Sequence, residues 1–189
     1  MIILASASPR RSELLQQIGC EFIVKVSSTA EVISADLNPY EIAMLNASLK
    51  AKEIASTENE VESTIIGADT VVVLSDNIYG KPKNKLEAIE FLKILSGKEH
   101  KVITGIAIIT QDECIVDYEE TIVTFRTLTE DEIIRYVETE EPLDKAGAYG
   151  IQGIGAIFVE KICGCYSNVV GLPLSKLYKI CHEAGIKLL

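Results

Sequence analysis

The sequence of 189 residues lacks the features that mark secreted and membrane-spanning proteins. Its five cysteines are odd in number, irregularly spaced and without a CxxC pair, so neither a disulfide framework nor a zinc knuckle is predicted. No apolar run approaches the ~20 residues that are needed to cross a bilayer. The apolar run at the N-terminus is too short for a signal peptide, and its positive charge follows it. We therefore predict a cytoplasmic protein without a membrane role.

Positive charge is also in short supply: 18 lysines and arginines stand against 28 acidic residues, which gives a formal net charge of -10 at pH 7. Strong nucleic-acid binding is not expected, since neutralising phosphates requires a basic face. Hydrophobic residues make up 48% of the chain and charged residues 24%, which is ordinary for a globular protein. A chain of this length can bury enough surface to fold without a disulfide or a metal. We expect a single domain over residues 1–189.

Strand-like and helix-like segments are interspersed along the chain. Asparagine or serine before proline marks helix starts at Ser8 and Asn38, and Thr129 with Glu132 forms a capping box. Apolar runs between helices predict strands, and the segment 64–74 holds two runs interrupted by 67–69. The predicted helices cover 9–18, 39–56, 85–95, 130–137 and 173–184, and the predicted strands cover 1–5, 21–26, 64–74, 78–79, 102–109, 115–125 and 156–162. This order predicts an α/β fold with a mixed twisted sheet flanked by helices.

Two of only four arginines, Arg10 and Arg11, are adjacent in the first turn of the first predicted helix. Cations at this positive end of the helix dipole cost roughly 0.3 to 1 kcal/mol each. A bound phosphate would offset that cost, because free amides and guanidinium groups would converge on one anion. The alternative is two solvated arginines beside Ser8, a serine that only caps the helix.

Asp69 lies within a run of apolar and β-branched residues, IIGADTVVV, so its carboxylate is predicted to be buried. A buried carboxylate must be paired, bound to metal or protonated, since an isolated buried charge is very costly. One interpretation is an ion pair with Lys81, twelve residues on. The other is that Asp69 activates water or binds a divalent metal while Lys81 contacts a substrate phosphate.

Other polar residues carry weaker signals. Glu31 and Lys50 on their own are typical of solvated side chains. Gln152 lies among glycines in the segment GAYGIQG, where the backbone can approach a flat ligand and an amide can read base edges. His100 and His182 have no nucleophile nearby in the sequence, so neither is assigned to catalysis.

Five segments together make a more specific pattern. They are LASASPRR at 4–11, IIGADTVV at 65–72, GKP at 80–82, DKAGAYGIQG at 144–153 and NVVGLP at 168–173. In this order they resemble the Maf family of nucleotide pyrophosphatases over nearly the whole chain. The resemblance implies a Maf/inosine-triphosphatase-like fold with two lobes around a cleft, and hydrolysis of a nucleoside triphosphate to the monophosphate and pyrophosphate. It also implies a divalent cation, Mg²⁺ or Mn²⁺, and a possible homodimer.

The resemblance also implies roles for individual residues. Asp69 matches the acceptor of a proton from the attacking water and a metal contact, and Glu31 matches a second acidic metal or catalytic position. Three further positions match the branch that acts on dTTP and UTP; the glutamine amide is complementary to the uracil or thymine edge. The positions that match phosphate contacts are Arg11, Lys50 and Lys81, with Ser8 and Lys145 as substrate-binding residues nearby, and those that match the dTTP/UTP branch are Arg10, Thr70 and Gln152.

Two other functions remain open from the sequence. One is a regulator that binds a nucleotide or nucleic acid without turnover, and the other is a pyrophosphatase for modified or purine nucleotides. The chain also departs from the usual family pattern in two places. Glu140-Glu141 stands where Gly-Glu is usual, and Cys165 stands where an acid or a small polar residue is common.

Overall fold

The computed structural model describes residues 1–34, 36–58 and 63–189. It divides into two compact units, each assembled from more than one stretch of chain. Unit 1 consists of Met1–Asp69, Thr104–Glu119 and Gly171–Leu189, and unit 2 consists of Thr70–Ile103 and Glu120–Val170. The single domain expected from the sequence stays a prediction.

The predicted mixed α/β fold is confirmed. The strands in the described residues are β1 (Ile2–Leu4), β2 (Phe22–Val24), β3 (Thr64–Leu74), β4 (Asn77–Tyr79), β5 (Glu99–Ile109), β6 (Cys114–Phe125) and β7 (Val159–Cys163). The α-helices there are α1 (Pro9–Gln17), α2 (Pro39–Thr57), α3 (Lys85–Leu95), α4 (Glu130–Glu138), α5 (Tyr166–Val170) and α6 (Leu174–Glu183). Short 3-10 turns cover Glu141–Asp144, Ala146–Ala148 and Ile154–Phe158.

The strands form a mixed sheet in the order β2-β1-β3-β5-β6-β7, and β4 pairs with β3. β1 runs parallel to β2 and to β3, with Ile3 opposite Ile23 and Ile65. β4 is antiparallel to β3 and β7 is antiparallel to β6. The sheet therefore combines parallel pairing near the N-terminus with antiparallel pairing elsewhere, as the order of segments predicted.

Helix starts follow the predicted capping chemistry, with one exception. The side chains of Asn38 and Thr129 both take part in capping boxes, and the Asn84 side chain accepts a hydrogen bond from the Glu87 amide. Ser8 occupies the N-cap of α1, but its side chain makes no capping hydrogen bond. Its backbone N–H instead donates to Ser6 Oγ at 3.1 Å.

Three details of the sequence-based assignment are wrong. β3 continues without a break through 67–69, because Gly67 belongs to the strand and serves the close packing of α2. The strand expected from residue 156 begins at Val159, since Ile154–Phe158 forms a 3-10 turn. The short helix α5 lies in a segment that was expected to be a loop.

Glycine allows α2 to lie very close to the strands of unit 1. A Cβ atom on Gly67 of β3 would lie 2.3 Å from the carbonyl oxygen of Ala47, and a Cβ on Gly105 would lie 2.3 Å from that of Ala43. No side chain larger than hydrogen fits in such a gap. The same contact buries Ala47 and Ala51 of α2 completely. This close approach places polar side chains of α2 beside Asp69, which lies two residues beyond Gly67 in β3.

Unit 2 has its own core, in which aromatic rings pack edge to face. Phe125 and Tyr149 lie 4.6 Å apart between ring centroids, and His100 lies 4.9 Å from Phe125. His100 Nε2 and the Tyr149 hydroxyl are 2.9 Å apart. In the part of the chain that the structure describes, each helix is too short or too polar to span a membrane.

Candidate active site

The Asp69 carboxylate lies at the centre of the polar cluster in unit 1. The residue is only 4% exposed, and Lys50 Nζ of α2 donates to its Oδ1 at 2.6 Å. Burial raises the pKa of Asp69 above its ordinary value, and the charge of Lys50 opposes this shift. A carboxylate whose pKa is raised by burial is a stronger base once it is ionised, as general-base chemistry requires.

Asn46, one helical turn before Lys50, also contacts Asp69. Its Nδ2 donates to Asp69 Oδ2 at 3.3 Å and to the backbone carbonyl of Val32 at 3.1 Å. Its Oδ1 accepts from the Val32 N–H at 2.8 Å. Both carboxylate oxygens of Asp69 are thus engaged by side chains from a single helix.

Glu31 reaches the same ammonium group. Lys50 Nζ donates to Glu31 Oε1 at 2.9 Å, and the Glu31 side chain remains 39% exposed. Glu31 precedes Val32, which Asn46 holds through two backbone hydrogen bonds. Glu31 and Asp69, which are far apart in the sequence, therefore meet at one cation, Lys50.

Arg11 is almost fully buried in unit 1. Its Nε donates to the carbonyl oxygen of Gly171 at 2.7 Å, and its Nη1 donates to Ser6 Oγ at 3.2 Å. Burial lowers the pKa of Arg11, and Asp69 and Glu31 oppose that shift. The first and last of the five motif segments therefore meet through Arg11. Arg10 and Ser8 are partly exposed on the same helix end.

The residues Glu31 and Asp69 fit the coordination chemistry of a hard divalent cation. The described residues hold no group of three or more His, Cys, Asp or Glu side chains that could bind a metal. Two carboxylates do converge, however, since each accepts from Lys50 Nζ. Mg²⁺ is commonly bound through one or two carboxylates, with water and substrate phosphates completing its shell. The donor set therefore fits Mg²⁺ or Mn²⁺ that arrives with a phosphate ligand.

The remaining candidate residues lie in unit 2. The N–H of Gly147 donates to the carbonyl oxygen of Gly80 at 3.1 Å, so the GKP segment carrying Lys81 contacts the start of the glycine-rich segment. Lys145 Nζ donates to the Glu141 carbonyl oxygen and to Asp144 Oδ1, both at 2.7 Å. Lys81 is exposed, and Thr70 on β3 is partly exposed.

Glu141 orders the glycine-rich segment of unit 2. Its Oε2 accepts from the Ile154 N–H at 2.9 Å and its Oε1 accepts from the Gly155 N–H at 3.2 Å. The Tyr136 hydroxyl donates to Glu141 Oε1 at 2.9 Å and accepts from the Gly150 N–H at 3.2 Å. These contacts enclose both ends of the turn that presents the exposed Gln152.

Sequence reasoning did not identify Asn46 or Glu141. Asn46 stands in the middle of a predicted helix, where asparagine is unfavourable, and this anomaly was the one available signal. Glu141 was seen only as part of a departure from a family motif. Neither role could be read from spacing, because each depends on contacts formed in the folded chain.

The sequence offered Lys81 as an ion-pair partner for Asp69. The ion pair that the structure describes for Asp69 is with Lys50.

The mixed α/β fold has a counterpart among solved structures. The structure of the Staphylococcus aureus Ham1 protein covers 97% of this chain with a TM-score of 0.55 and 19% sequence identity, over 98% of its own chain. A likeness at this identity supports the fold alone.

The family follows from the sequence comparison. The family model described as Maf-like protein matches residues 1–184, so the chain belongs to the Maf family. A Bacillus anthracis protein named dTTP/UTP pyrophosphatase is 53% identical over 185 residues, which are 98% of this chain and 96% of that protein. A Bacillus cytotoxicus protein of the same name is 51% identical, over 94% of this chain and 92% of its own length.

Proposed function

We propose that the protein is a nucleoside triphosphate pyrophosphatase that hydrolyses dTTP and UTP to the monophosphate and pyrophosphate. The observation that carries this proposal is the buried Asp69 carboxylate, which shares the ammonium of Lys50 with Glu31. Membership of the Maf family and relatives named dTTP/UTP pyrophosphatase support the choice of reaction and substrate.

Asp69 is the proposed proton acceptor. In its ionised form it takes a proton from a water molecule, and the resulting hydroxide attacks the α-phosphorus while the bond to the β-phosphate oxygen breaks. Lys50 favours the ionised form of Asp69 through the 2.6 Å contact. Glu31 contacts the same ammonium group. If another cation bound beside Glu31, it would take the place of Lys50, and Lys50 could turn toward a phosphate oxygen.

A divalent cation would be held by Glu31 and Asp69, and Mg²⁺ and Mn²⁺ are the proposed ions. When bound, it supplies charge neutralisation of the triphosphate. Arg11, Lys50, Lys81 and Lys145 are the proposed phosphate contacts, with Ser8 beside them. Arg10, Thr70 and Gln152 are the proposed determinants of pyrimidine selection. The Gln152 amide offers both a donor and an acceptor to the base edge.

The test is pyrophosphate release by the purified protein from a panel of canonical and modified nucleoside triphosphates, with Mg²⁺, with Mn²⁺ and with EDTA. We expect metal-dependent release from dTTP and UTP. Release confined to purines or to 7-methyl-GTP would contradict the assignment of Gln152. Nucleotide binding without any release would instead favour a regulatory binding protein.

Three further expectations accompany the proposal. A cytoplasmic location and a homodimeric assembly stay predictions, as does a single functional domain over residues 1–189. Gel filtration with light scattering measures the assembly directly. The net charge of -10 argues against a nucleic-acid partner, since such binding needs a basic face.

A further inference from the structure

The segment that carries Glu31 has no regular secondary structure, and its position is set by side chains of α2. Residues 25–34 form neither helix nor strand. Three side chains of α2 contact this segment, at positions 46, 50 and 53. Spacings of four and three residues place all three on one face of the helix.

The contacts run in opposite directions along the two segments. Glu53, toward the C-terminal end of α2, contacts residues 27–29, while Lys50 contacts Glu31 and Asn46 contacts Val32. The segment therefore lies antiparallel to the helix, and each turn of α2 fixes one part of it. Glu31 is placed in the middle, with a fixed point on either side.

Glu53 makes an unusually large number of hydrogen bonds to this segment. Its carboxylate accepts from the hydroxyls of Ser27 and Ser28, and from both the hydroxyl and the N–H of Thr29, at 2.8 and 3.0 Å. These hydrogen bonds lower the pKa of Glu53 to about 2. The carboxylate is therefore ionised at neutral pH. Glu53 is not among the residues that are proposed to touch substrate.

Asn46 supplies the second fixed point and is only 2% exposed. Both hydrogens of its amide nitrogen and its oxygen are used, in three bonds that join Val32 to Asp69. The Asn46 side-chain amide donates to Asp69 through its nitrogen and accepts from a backbone N–H through its oxygen. Aspartate has no such donor, and leucine, of similar size, has neither function.

We propose that Asn46 and Glu53 are positioning residues, which hold the segment 27–32 against α2 so that Glu31 and Asp69 meet at Lys50. This inference rests on the proposed pyrophosphatase function. Neither residue touches the reacting atoms; each acts through Glu31, and Asn46 acts also on the orientation of Asp69. Side chains that orient a ligating group typically change activity by about 10- to 100-fold when removed.

Hydrogen exchange tests the structural half of this proposal without any substrate. The Thr29 N–H donates to Glu53 Oε2 at 3.0 Å and to Ser27 Oγ at 3.2 Å, and the Val32 N–H donates to Asn46 Oδ1. We expect Glu53→Ala to speed exchange at Thr29, and Asn46→Leu to speed exchange at Val32, by about 10-fold or more. Amides within α2 should exchange as in the wild type. Unchanged exchange at both amides would overturn the proposal.

Kinetics test the functional half. Glu53→Ala should lower kcat/KM for dTTP by about 10-fold, with Glu53→Gln intermediate because its amide oxygen still accepts hydrogen bonds. Ser48→Ala, at another buried position of α2, is the packing control and should leave kcat/KM within about twofold. Asn46→Leu is the second variant whose kcat/KM is measured. Thermal unfolding identifies any variant whose activity is lost because it does not fold.

A double-mutant cycle separates positioning from general destabilisation. If Glu53 acts through Glu31, adding Glu53→Ala to Glu31→Gln should change the single-turnover rate by less than about twofold. A full 10-fold further loss in that background would overturn the positioning role. So would faster exchange at Thr29 with kcat/KM unchanged. Absence of pyrophosphate release from the wild type would overturn the proposed function itself, and the positioning role with it.

Discussion

At the scale of the residue, the charge of Asp69 is the most consequential feature of unit 1. A buried carboxylate is tolerated because Lys50 and Asn46 occupy both of its oxygens. Both contacts favour the ionised form of Asp69, because each places a hydrogen-bond donor on one of its oxygens. The sequence alone indicated that Asp69 would be buried and in need of a partner. It suggested Lys81 as that partner, whereas the described ion pair is with Lys50, which lies on another element and is not revealed by spacing.

Replacing Asp69 with Asn should remove the proton acceptor while keeping the size of the side chain and an acceptor for Lys50. We expect kcat/KM for dTTP to fall by about 1,000-fold, within the range of general-base contributions. Thermal unfolding should change by only a few degrees. Asp117→Asn is the matched control, because Asp117 lies on the surface beside Lys176. An active Asp69→Asn protein would remove Asp69 from this role.

His100 makes stability depend on pH. Burial lowers its pKa to about 4, from 6.5, so the folded protein keeps the imidazole neutral. The unfolded chain binds this proton more readily, so the stabilising contribution is complete above pH 6.5 and is lost as pH falls toward 4. The loss is about 3 kcal/mol at pH 4.

His100→Gln should flatten that part of the pH dependence, because glutamine does not titrate. The measurement is urea unfolding of both proteins between pH 7 and pH 4.5. The variant should be less stable at pH 7 through lost ring packing, and the gap should narrow as the pH falls. A constant gap across this range would show that His100 is not the titrating group.

At the scale of the element, the packing of α2 against β3 determines where the site residues lie. The sequence predicted both elements and nearly all of their bounds, because capping and apolar patterning are local signals. It predicted a break at 67–69, since glycine and aspartate are unfavourable in strands. The actual reason for Gly67 is a non-local contact, the carbonyl oxygen of Ala47, which no local pattern reveals.

Gly67→Ala should therefore be strongly destabilising. The added Cβ would lie 2.3 Å from a backbone oxygen of α2, so the helix must move away. We expect a loss of about 3 kcal/mol in the free energy of unfolding, at the upper end of overpacking costs. Activity should fall as well, because Asn46 and Lys50 move with the helix.

Gly80→Ala is the control for stability, since no heavy atom lies within 4 Å of a Cβ at that position. Chemical denaturation compares the two variants. Equal stability of Gly67→Ala and the wild type would contradict the close approach of α2 to β3.

The C-terminal end of α4 carries a residue in an unfavourable conformation. Glu140 has φ of 63°, in the left-handed region that favours glycine. Glu140→Gly should be more stable than Glu140→Ala by about 1 kcal/mol, because alanine keeps the Cβ clash. Both variants remove the exposed pair with Lys85, so the comparison isolates the backbone. The midpoint of thermal unfolding measures the difference, and equal midpoints would contradict it.

At the scale of the whole molecule, the order of motifs predicted more than any single motif did. The α/β class and Maf membership both followed from segments spread over residues 4–173. The resemblance implied two lobes, but the bounds of the two units did not follow from the motifs, because each unit is assembled from separated stretches of chain.

Attack by water on the α-phosphorus of dTTP is the step on which the proposed roles of Asp69, Glu31 and Lys50 depend. Hydrolysis of dTTP by the wild-type protein in ¹⁸O-labelled water, followed by mass spectrometry of both products, tests it most directly. We expect one ¹⁸O atom in the monophosphate and none in pyrophosphate. Label in the pyrophosphate, or release of inorganic phosphate and dTDP, would contradict it.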